Sequence, residues 1–291
     1  MTTSPTTPPV TPPVLRSGLY LPASNTRALD KAATLPADAL ILDLEDAVTP
    51  DAKASAREQA CAAVRSGRYG QRTVTIRGNG LDTPWGEDDL RAAAEAGPHA
   101  VVVPKVSGPE HLDRVAAVVG EGTRLWAMVE TPSAVFAARA IAAHPQVDVL
   151  VLGTNDLAKE LRAALVPGRA PLVPHLATVL LAAREAGVEV LDGVYNDVRD
   201  LEGFAAECRQ GAELGFDGKT LVHPTQVEVA NRVWAPDAAA VEHAARVIAA
   251  FEQAEREGRG VVTVDGRMVE HLHVDTARRT LATAEAIAAL G

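Results

Sequence analysis

From Arg16 onward the chain alternates short, continuously apolar runs with longer Ala-rich stretches in which apolar residues return every three or four positions. A short apolar run closed by Gly, Pro or Asp reads as a strand buried on both faces, and the three-to-four spacing reads as an amphipathic helix. Eight runs fit the strand pattern: residues 18–21, 39–44, 73–76, 100–103, 125–129, 147–152, 188–191 and 218–222. A helix-forming segment follows each, which predicts one parallel sheet joined by crossover helices. Eight such units in roughly 200 to 250 residues fit a closed TIM-type (β/α)8 barrel better than an open doubly wound sheet. No G-x-G-x-x-G follows the first strand, so the main reason to expect a dinucleotide-binding fold is missing.

The pattern fails at both ends. Residues 1–14 are Thr and Pro with almost nothing to bury and are expected to be disordered, the barrel to occupy 15–235, and 236–291 to form a helical extension. The extension is read as a helix with Pro236 in its first turn, running to about Glu257, then Gly258-Arg259-Gly260 and an extended run over 261–264. The extension cannot bury its apolar residues alone and is expected to dock on its own barrel or a neighbour's.

Composition narrows the function. A chain of 291 residues that is 47% hydrophobic and 23% charged is an ordinary soluble globular protein. A net charge of -10 and only 3% aromatic residues disfavour nucleic acid as a partner, since both phosphate attraction and base stacking are weak. No apolar run approaches the ~20 residues of a membrane helix, and the start lacks the basic and apolar regions of a signal peptide. Cys61 and Cys208 lie far apart in Ala-rich, helix-like surroundings and read as reduced core residues of a cytoplasmic protein.

In a barrel the carboxyl ends of all strands share one mouth, so the polar residues that close the runs belong together. They include Asp43, Glu45 and Asp46 after the second run, Arg77 after the third, Lys105 after the fourth, Glu130 after the fifth and Asp156 after the sixth. Glu130 and Asp156 close consecutive runs and are expected to point into one cleft, where two hard oxygen ligands suit Mg²⁺. A carboxylate at a strand end also commonly caps a helix or sits solvated in a loop, and both readings stand. Asp43, Glu45 and Asp46 read as hydrogen-bond partners of Arg77 and Lys105 around the site. Asp51 and Asp197 sit where helix-capping acids would, and His223, before Pro224, reads as part of a structural turn.

Taken in order, Arg16-Ser17-Gly18-Leu19-Tyr20-Leu21-Pro22, Leu42-Asp43-Leu44-Glu45-Asp46-Ala47-Val48, Arg77-Gly78-Asn79-Gly80-Leu81-Asp82-Thr83-Pro84, Val103-Pro104-Lys105, Val129-Glu130-Thr131-Pro132, Gly153-Thr154-Asn155-Asp156-Leu157, Asp192-Gly193-Val194-Tyr195-Asn196-Asp197 and Gly218-Lys219-Thr220-Leu221-Val222-His223-Pro224 resemble the citrate lyase β-subunit-like branch of the HpcH/HpaI aldolase family, to which malyl-CoA lyases also belong. The resemblance implies a Mg²⁺ held by Glu130 and Asp156, with Mn²⁺ a substitute, and a CoA thioester substrate cleaved by a retro-Claisen step to acetyl-CoA and an oxo acid. It implies that Arg77 clamps the acid portion, and it matches substrate contacts to Tyr20, Asn25, Lys31, Glu130, Asn155 and Val222; Arg27 lies near enough to compensate where relatives carry Arg at Asn25. It supplies a proton shuttle at Glu270, where relatives carry Asp, and implies that this segment reaches a neighbouring subunit's site in a homo-oligomer, a trimer or a multiple of one.

Three rivals accompany this reading. Lys219 or Lys105 could serve a Schiff-base aldolase, although a mouth crowded with carboxylates works against the low lysine pKa such chemistry needs. The same ligands could support thioester hydrolysis or a malate-synthase-like reaction. The chain could also be a non-catalytic CoA-ester-binding subunit, or one dependent on a larger complex.

Overall fold

In the computed structural model, which describes residues 14–290, eight parallel strands close into a barrel in sequence order, with the eighth pairing back onto the first. They are β1 (Ser17–Pro22), β2 (Ala39–Asp43), β3 (Thr73–Arg77), β4 (Ala100–Val103), β5 (Leu125–Val129), β6 (Val147–Leu152), β7 (Glu189–Asp192) and β8 (Gly218–Leu221). The barrel is the one the sequence pattern predicts, with strand ends displaced by a residue or two. The expected disorder of residues 1–14 falls almost wholly outside the described residues.

Strand alternation sorts the core into two shells. Ala39, Ile41, Ala100, Val102, Trp126, Met128, Val149, Val151 and Leu191 fill the barrel interior, whereas Leu19, Leu40, Leu42, Val101, Val103, Ala127, Val129 and Leu150 face the helices outside. Both faces of β2, β4, β5 and β6 are therefore largely apolar, which is why these strands read as nearly unbroken hydrophobic runs. The outer layer comprises α1 (Thr26–Ala32), α2 (Lys53–Arg65), α3 (Gly86–Ala96), α4 (Pro109–Val119), α5 (Pro132–Ala142), α6 (Thr154–Leu161), α7 (Val173–Ala186), α8 (Leu201–Leu214) and α9 (Val227–Trp234). The sequence reading of one helix per strand needs correction after β6, where α6 and α7 both intervene. Arg162 in the left-handed conformation, φ 55°, ends α6, and Pro174 starts α7 afresh.

The chain forms two compact units, Leu15–Trp234 and a second containing residues 235–290. In the second, α10 (Ala238–Arg256) is capped by the side chain of Asp237, so Pro236 precedes the cap rather than opening the first turn. A hairpin missed in the sequence follows: β9 (Val262–Val264) pairs antiparallel with β10 (Arg267–Val269). Its connection is Asp265-Gly266, both at positive φ, as a two-residue hairpin turn requires. Val264, Val269 and Val274 from the hairpin and α11 (His271–Leu290) pack on Val247 and Phe251 of α10, giving the unit a core of its own. The unit is thus helical with a small sheet, and the run read as extended over 261–264 contains its first strand.

Candidate active site

Parallel register and inward alternation together assemble the mouth. Asp43 and Arg77 are register partners on β2 and β3 and both end inward-facing positions. The Arg77 guanidinium spans the Asp43 carboxylate, Nε to Oδ1 at 2.6 Å and Nη2 to Oδ2 at 2.7 Å, while Nη1 lies 2.8 Å from Glu45 Oε2. It stacks 4.7 Å above the Tyr20 ring, and its Nη1 approaches Met128 Sδ at 3.8 Å. Asp46 stands farther off, 3.8 Å from Nη1, and exposed. Arg77 is therefore less free than a substrate clamp read from sequence alone would be: two protons go to Asp43, Nη1 pairs with Glu45 and donates to the Met128 thioether, and one Nη2 proton is left without a partner among the described residues. Asp43 also accepts the backbone N–H groups of Glu45 and Ala47, so one carboxylate shapes the β2 turn and holds the arginine.

Glu130 follows β5 and is 2% exposed. Its Oε1 accepts the Lys105 backbone N–H at 2.6 Å, and Lys105 adopts the left-handed φ of 50° while its Nζ reaches Glu45 Oε1 at 2.8 Å. Burial raises the Glu130 pKa to about 7, and the charges of Glu45 and Asp156 push the same way against the Lys105 N–H. Burial likewise raises Glu45, opposed by Arg77 and Lys105. Opposite Glu130 is Gly153, whose N–H continues the β5–β6 ladder to the Val129 carbonyl at 3.1 Å. A Cβ on Gly153 would collide with Cβ and Oε2 of Glu130, so the glycine's missing side chain is the space into which that carboxylate turns. Asp156 stands half-buried in the first turn of α6.

This donor set fits a small hard divalent ion. Glu130 offers an oxygen not spent on Lys105, Asp156 a second carboxylate close enough to perturb it, and the excess of buried negative charge is what a cation would offset. Among the described residues no group of three or more His, Cys, Asp or Glu is arranged to hold a metal ion, so water and substrate would have to complete a shell begun by Glu130 and Asp156.

Other candidates fall in different places. Tyr20 is half-buried at the top of the barrel interior, its phenol raised by burial and 3.9 Å from Met128 Sδ. Asn25 caps α1 by accepting the Ala28 N–H, and Lys31 is exposed in the last turn of the same helix. The Asn155 side chain is exposed and exchanges two hydrogen bonds with Asn196, at 3.0 and 2.8 Å, pinning the β6–α6 turn to the β7–α8 loop. Beside this pair opens a crevice of about 540 Å³ lined by Thr154, Asn155, Arg169, Tyr195, Asn196 and Glu207. Val222 is 40% exposed just past β8, its N–H held by Gln226 Oε1. His223 caps the following 3-10 turn in a reciprocal box with Gln226, as a structural turn residue does. Asp200 rather than Asp197 caps α8, while Asp197 accepts the Arg199 N–H in the preceding turn. Glu270 immediately precedes α11 in the second unit, its N–H donated to His273 Nδ1 at 3.2 Å.

Neither lysine suits imine chemistry. Lys219 faces out of the barrel, wholly buried, with Nζ 2.9 Å from Asp192 and 2.8 Å from Glu207, and Arg169 completes the cluster through Asp192. For Lys105, burial would lower the pKa, but the Glu45 hydrogen bond and surrounding carboxylates raise it, so the amine stays charged. Cys61 and Cys208 are buried and their thiols are raised by that burial, Cys208 to about 12, which makes them unreactive.

The architecture defines a β/α barrel with an acid-rich mouth at the carboxyl ends of its strands, the face on which barrel enzymes keep their chemistry. The chain belongs to the HpcH/HpaI aldolase/citrate lyase family, whose description matches residues 16–224. It is 53% identical over 274 residues to a (3S)-malyl-CoA thioesterase of Cereibacter sphaeroides, covering 94% of this chain and 96% of that one. It is 36% identical to citrate lyase subunit beta of Escherichia coli over 93% of each chain. Among solved structures, protein CitE from Mycobacterium tuberculosis in complex with magnesium, acetoacetate and coenzyme A superposes with a TM-score of 0.75 at 30% identity, covering 92% of this chain and 97% of that one. The citrate lyase beta subunit of M. tuberculosis complexed with oxaloacetate and magnesium gives a TM-score of 0.66 at 31% identity, covering 76% and 99%.

Proposed function

We propose that the protein is a Mg²⁺-dependent enzyme acting on the CoA thioester of a small hydroxy acid of the malyl type. The observation that carries the reading is the pair Glu130 and Asp156 at one barrel mouth with Arg77, a buried arginine whose Nη1 and Nη2 face the mouth with only a weak thioether contact beyond Asp43 and Glu45. Mg²⁺, or Mn²⁺ in its place, would be held by Glu130 and Asp156 and would supply Lewis-acid polarisation of substrate oxygens. Arg77 binds the carboxylate of the acid portion through its spare Nη2 proton and by exchanging the weak Met128 contact of Nη1, and Tyr20 beneath the guanidinium restricts its swing. The Lys105 N–H fixes one oxygen of Glu130 and so sets the direction of the other. Glu270, from a neighbouring subunit's C-terminal segment in a trimer or a multiple of one, carries the proton.

Two reactions can start from this bound thioester. In hydrolysis, water adds to the thioester carbonyl carbon, the C–S bond breaks, and the departing thiolate is protonated to free CoA beside the hydroxy acid. In retro-Claisen cleavage, the hydroxyl proton is removed, the adjacent C–C bond breaks toward the thioester, and the enolate is protonated to acetyl-CoA beside an oxo acid. We rank hydrolysis first because the relative at 53% identity is a malyl-CoA thioesterase. Cleavage is the second reading, favoured by the similarity to citrate lyase beta subunits. The pure protein, given malyl-, citramalyl- and citryl-CoA with Mg²⁺, should release free CoA from one of them. Acetyl-CoA as the product would reverse the ranking, synthesis from acetyl-CoA and an oxo acid with release of CoA would favour the malate-synthase-like reaction, and binding without turnover would favour a non-catalytic subunit. No helix among the described residues is long and apolar enough to cross a membrane.

A further inference from the structure

Lys53 is 5% exposed, and its ammonium donates to three oxygens: the Leu44 carbonyl at 2.8 Å, the Glu45 carbonyl at 2.7 Å and Asn79 Oδ1 at 2.8 Å. All three acceptors are uncharged, and the nitrogen lies 5.3 Å from the centre of the Trp85 ring. A buried cation that lacks a carboxylate is expensive, and this one opens α2, at the end of a helix where positive charge is unfavourable. What it gains is hold on one short turn. Asp43 grips residues 43–47 by their N–H groups, and Lys53 grips the same turn by its carbonyl groups. Asn79 reinforces the grip, bonding Leu44 O at 2.9 Å and resting on Asp89, which Arg57 of α2 pairs at 2.6 Å. The side chain this turn presents to the mouth is Glu45, which contacts both Arg77 Nη1 and Lys105 Nζ.

We propose that Lys53 is a positioning residue: by fixing the turn that carries Glu45, it sets the orientation of Arg77 toward the substrate carboxylate. The inference rests on the proposed role of Arg77. Lys53→Met keeps the bulk of the side chain and removes the ammonium; it should weaken binding of malate, read by calorimetry, and raise KM roughly 10- to 100-fold, the usual effect of losing such a supporting contact. Mn²⁺ affinity, read by electron paramagnetic resonance, should fall far less than malate affinity, because Lys53 touches neither Glu130 nor Asp156 and reaches them only through Glu45 and Lys105. Lys53→Ala leaves a cage of three oxygens, and added ethylammonium should restore malate binding several-fold there while leaving the wild type unchanged. Unaltered malate binding in Lys53→Met, or a loss matched by an equal loss of Mn²⁺ affinity, overturns the proposal, as does absence of ethylammonium rescue. If the Lys53 variants do not fold, Asn79→Ala decides by the same pair of readouts. A wild type that binds malate but turns over no thioester overturns only the proposed activity; one that binds no malate overturns the Arg77 clamp and this inference with it.

Discussion

Glu130→Gln makes two opposite predictions from one feature. The Glu130 carboxyl is buried and raised from an ordinary 4.5 to about 7, chiefly by burial. Above pH 4.5 the unfolded chain loses this proton while the folded protein keeps it until about pH 7, so native stability falls as pH rises across that window and stays reduced above it. A shift from 4.5 to about 7 corresponds to ~3 kcal/mol at pH 8. Glutamine keeps the shape and can still accept the Lys105 N–H, but carries no charge to desolvate. Metal-free Glu130→Gln should therefore be more stable than metal-free wild type at pH 8 by up to ~3 kcal/mol, roughly 6 to 12 °C in Tm for a unit of this size. At pH 4 the two should melt together, provided both remain folded. Mg²⁺ should raise the Tm of the wild type and leave the variant unmoved, since a ligand that binds only the native state stabilises it. Calorimetric scans of both proteins at several pH values, in EDTA and in Mg²⁺, provide the assay. A variant less stable than wild type at pH 8 in EDTA, or stabilised equally by Mg²⁺, would refute the reasoning.

Wild-type Mn²⁺ affinity should fall about tenfold per pH unit below about 7, because proton and metal compete for Glu130; titration at pH 5.5 and 7.5 checks this, and a flat profile counts against it. Gly153→Ala drives a methyl group into Glu130 and should cost metal affinity by roughly 10- to 100-fold with the barrel still folded, measured by Mn²⁺ titration and circular dichroism. Borohydride with substrate should trap no adduct on Lys219 or Lys105, and an adduct seen by mass spectrometry would revive the imine mechanism. Inactive Glu270→Ala chains mixed with inactive Glu130→Gln chains should regain part of the activity once subunits exchange; no recovery despite proven exchange would remove Glu270 from a neighbour's site.

The barrel was legible in the chain because its strands are buried on both faces: eight apolar runs separated by helix-forming segments leave little choice of topology. Asp43, Arg77, Lys105, Glu130 and Asp156 stood out in the chain because each lies at or just beyond the end of an apolar run, which a barrel gathers at one mouth. The sequence could not show how they spend their hydrogen bonds. Parallel register sets Asp43 opposite Arg77 and commits that guanidinium before any ligand arrives. Gly153 read as a turn former, and only across the β5–β6 pair does its bare Cα become the space for the Glu130 carboxylate. Asn155, expected at the substrate, faces Asn196 on the next loop, a partner 41 residues away that no local pattern indicates. No motif marks Lys53 in the sequence; its burial depends on Leu44, Glu45 and Asn79 closing around it from two other segments. Periodicity fixes which face of each element is apolar, because burial acts on every residue along it. Which polar groups pair is decided by distances between segments far apart in the chain, and those exist only once the barrel has closed.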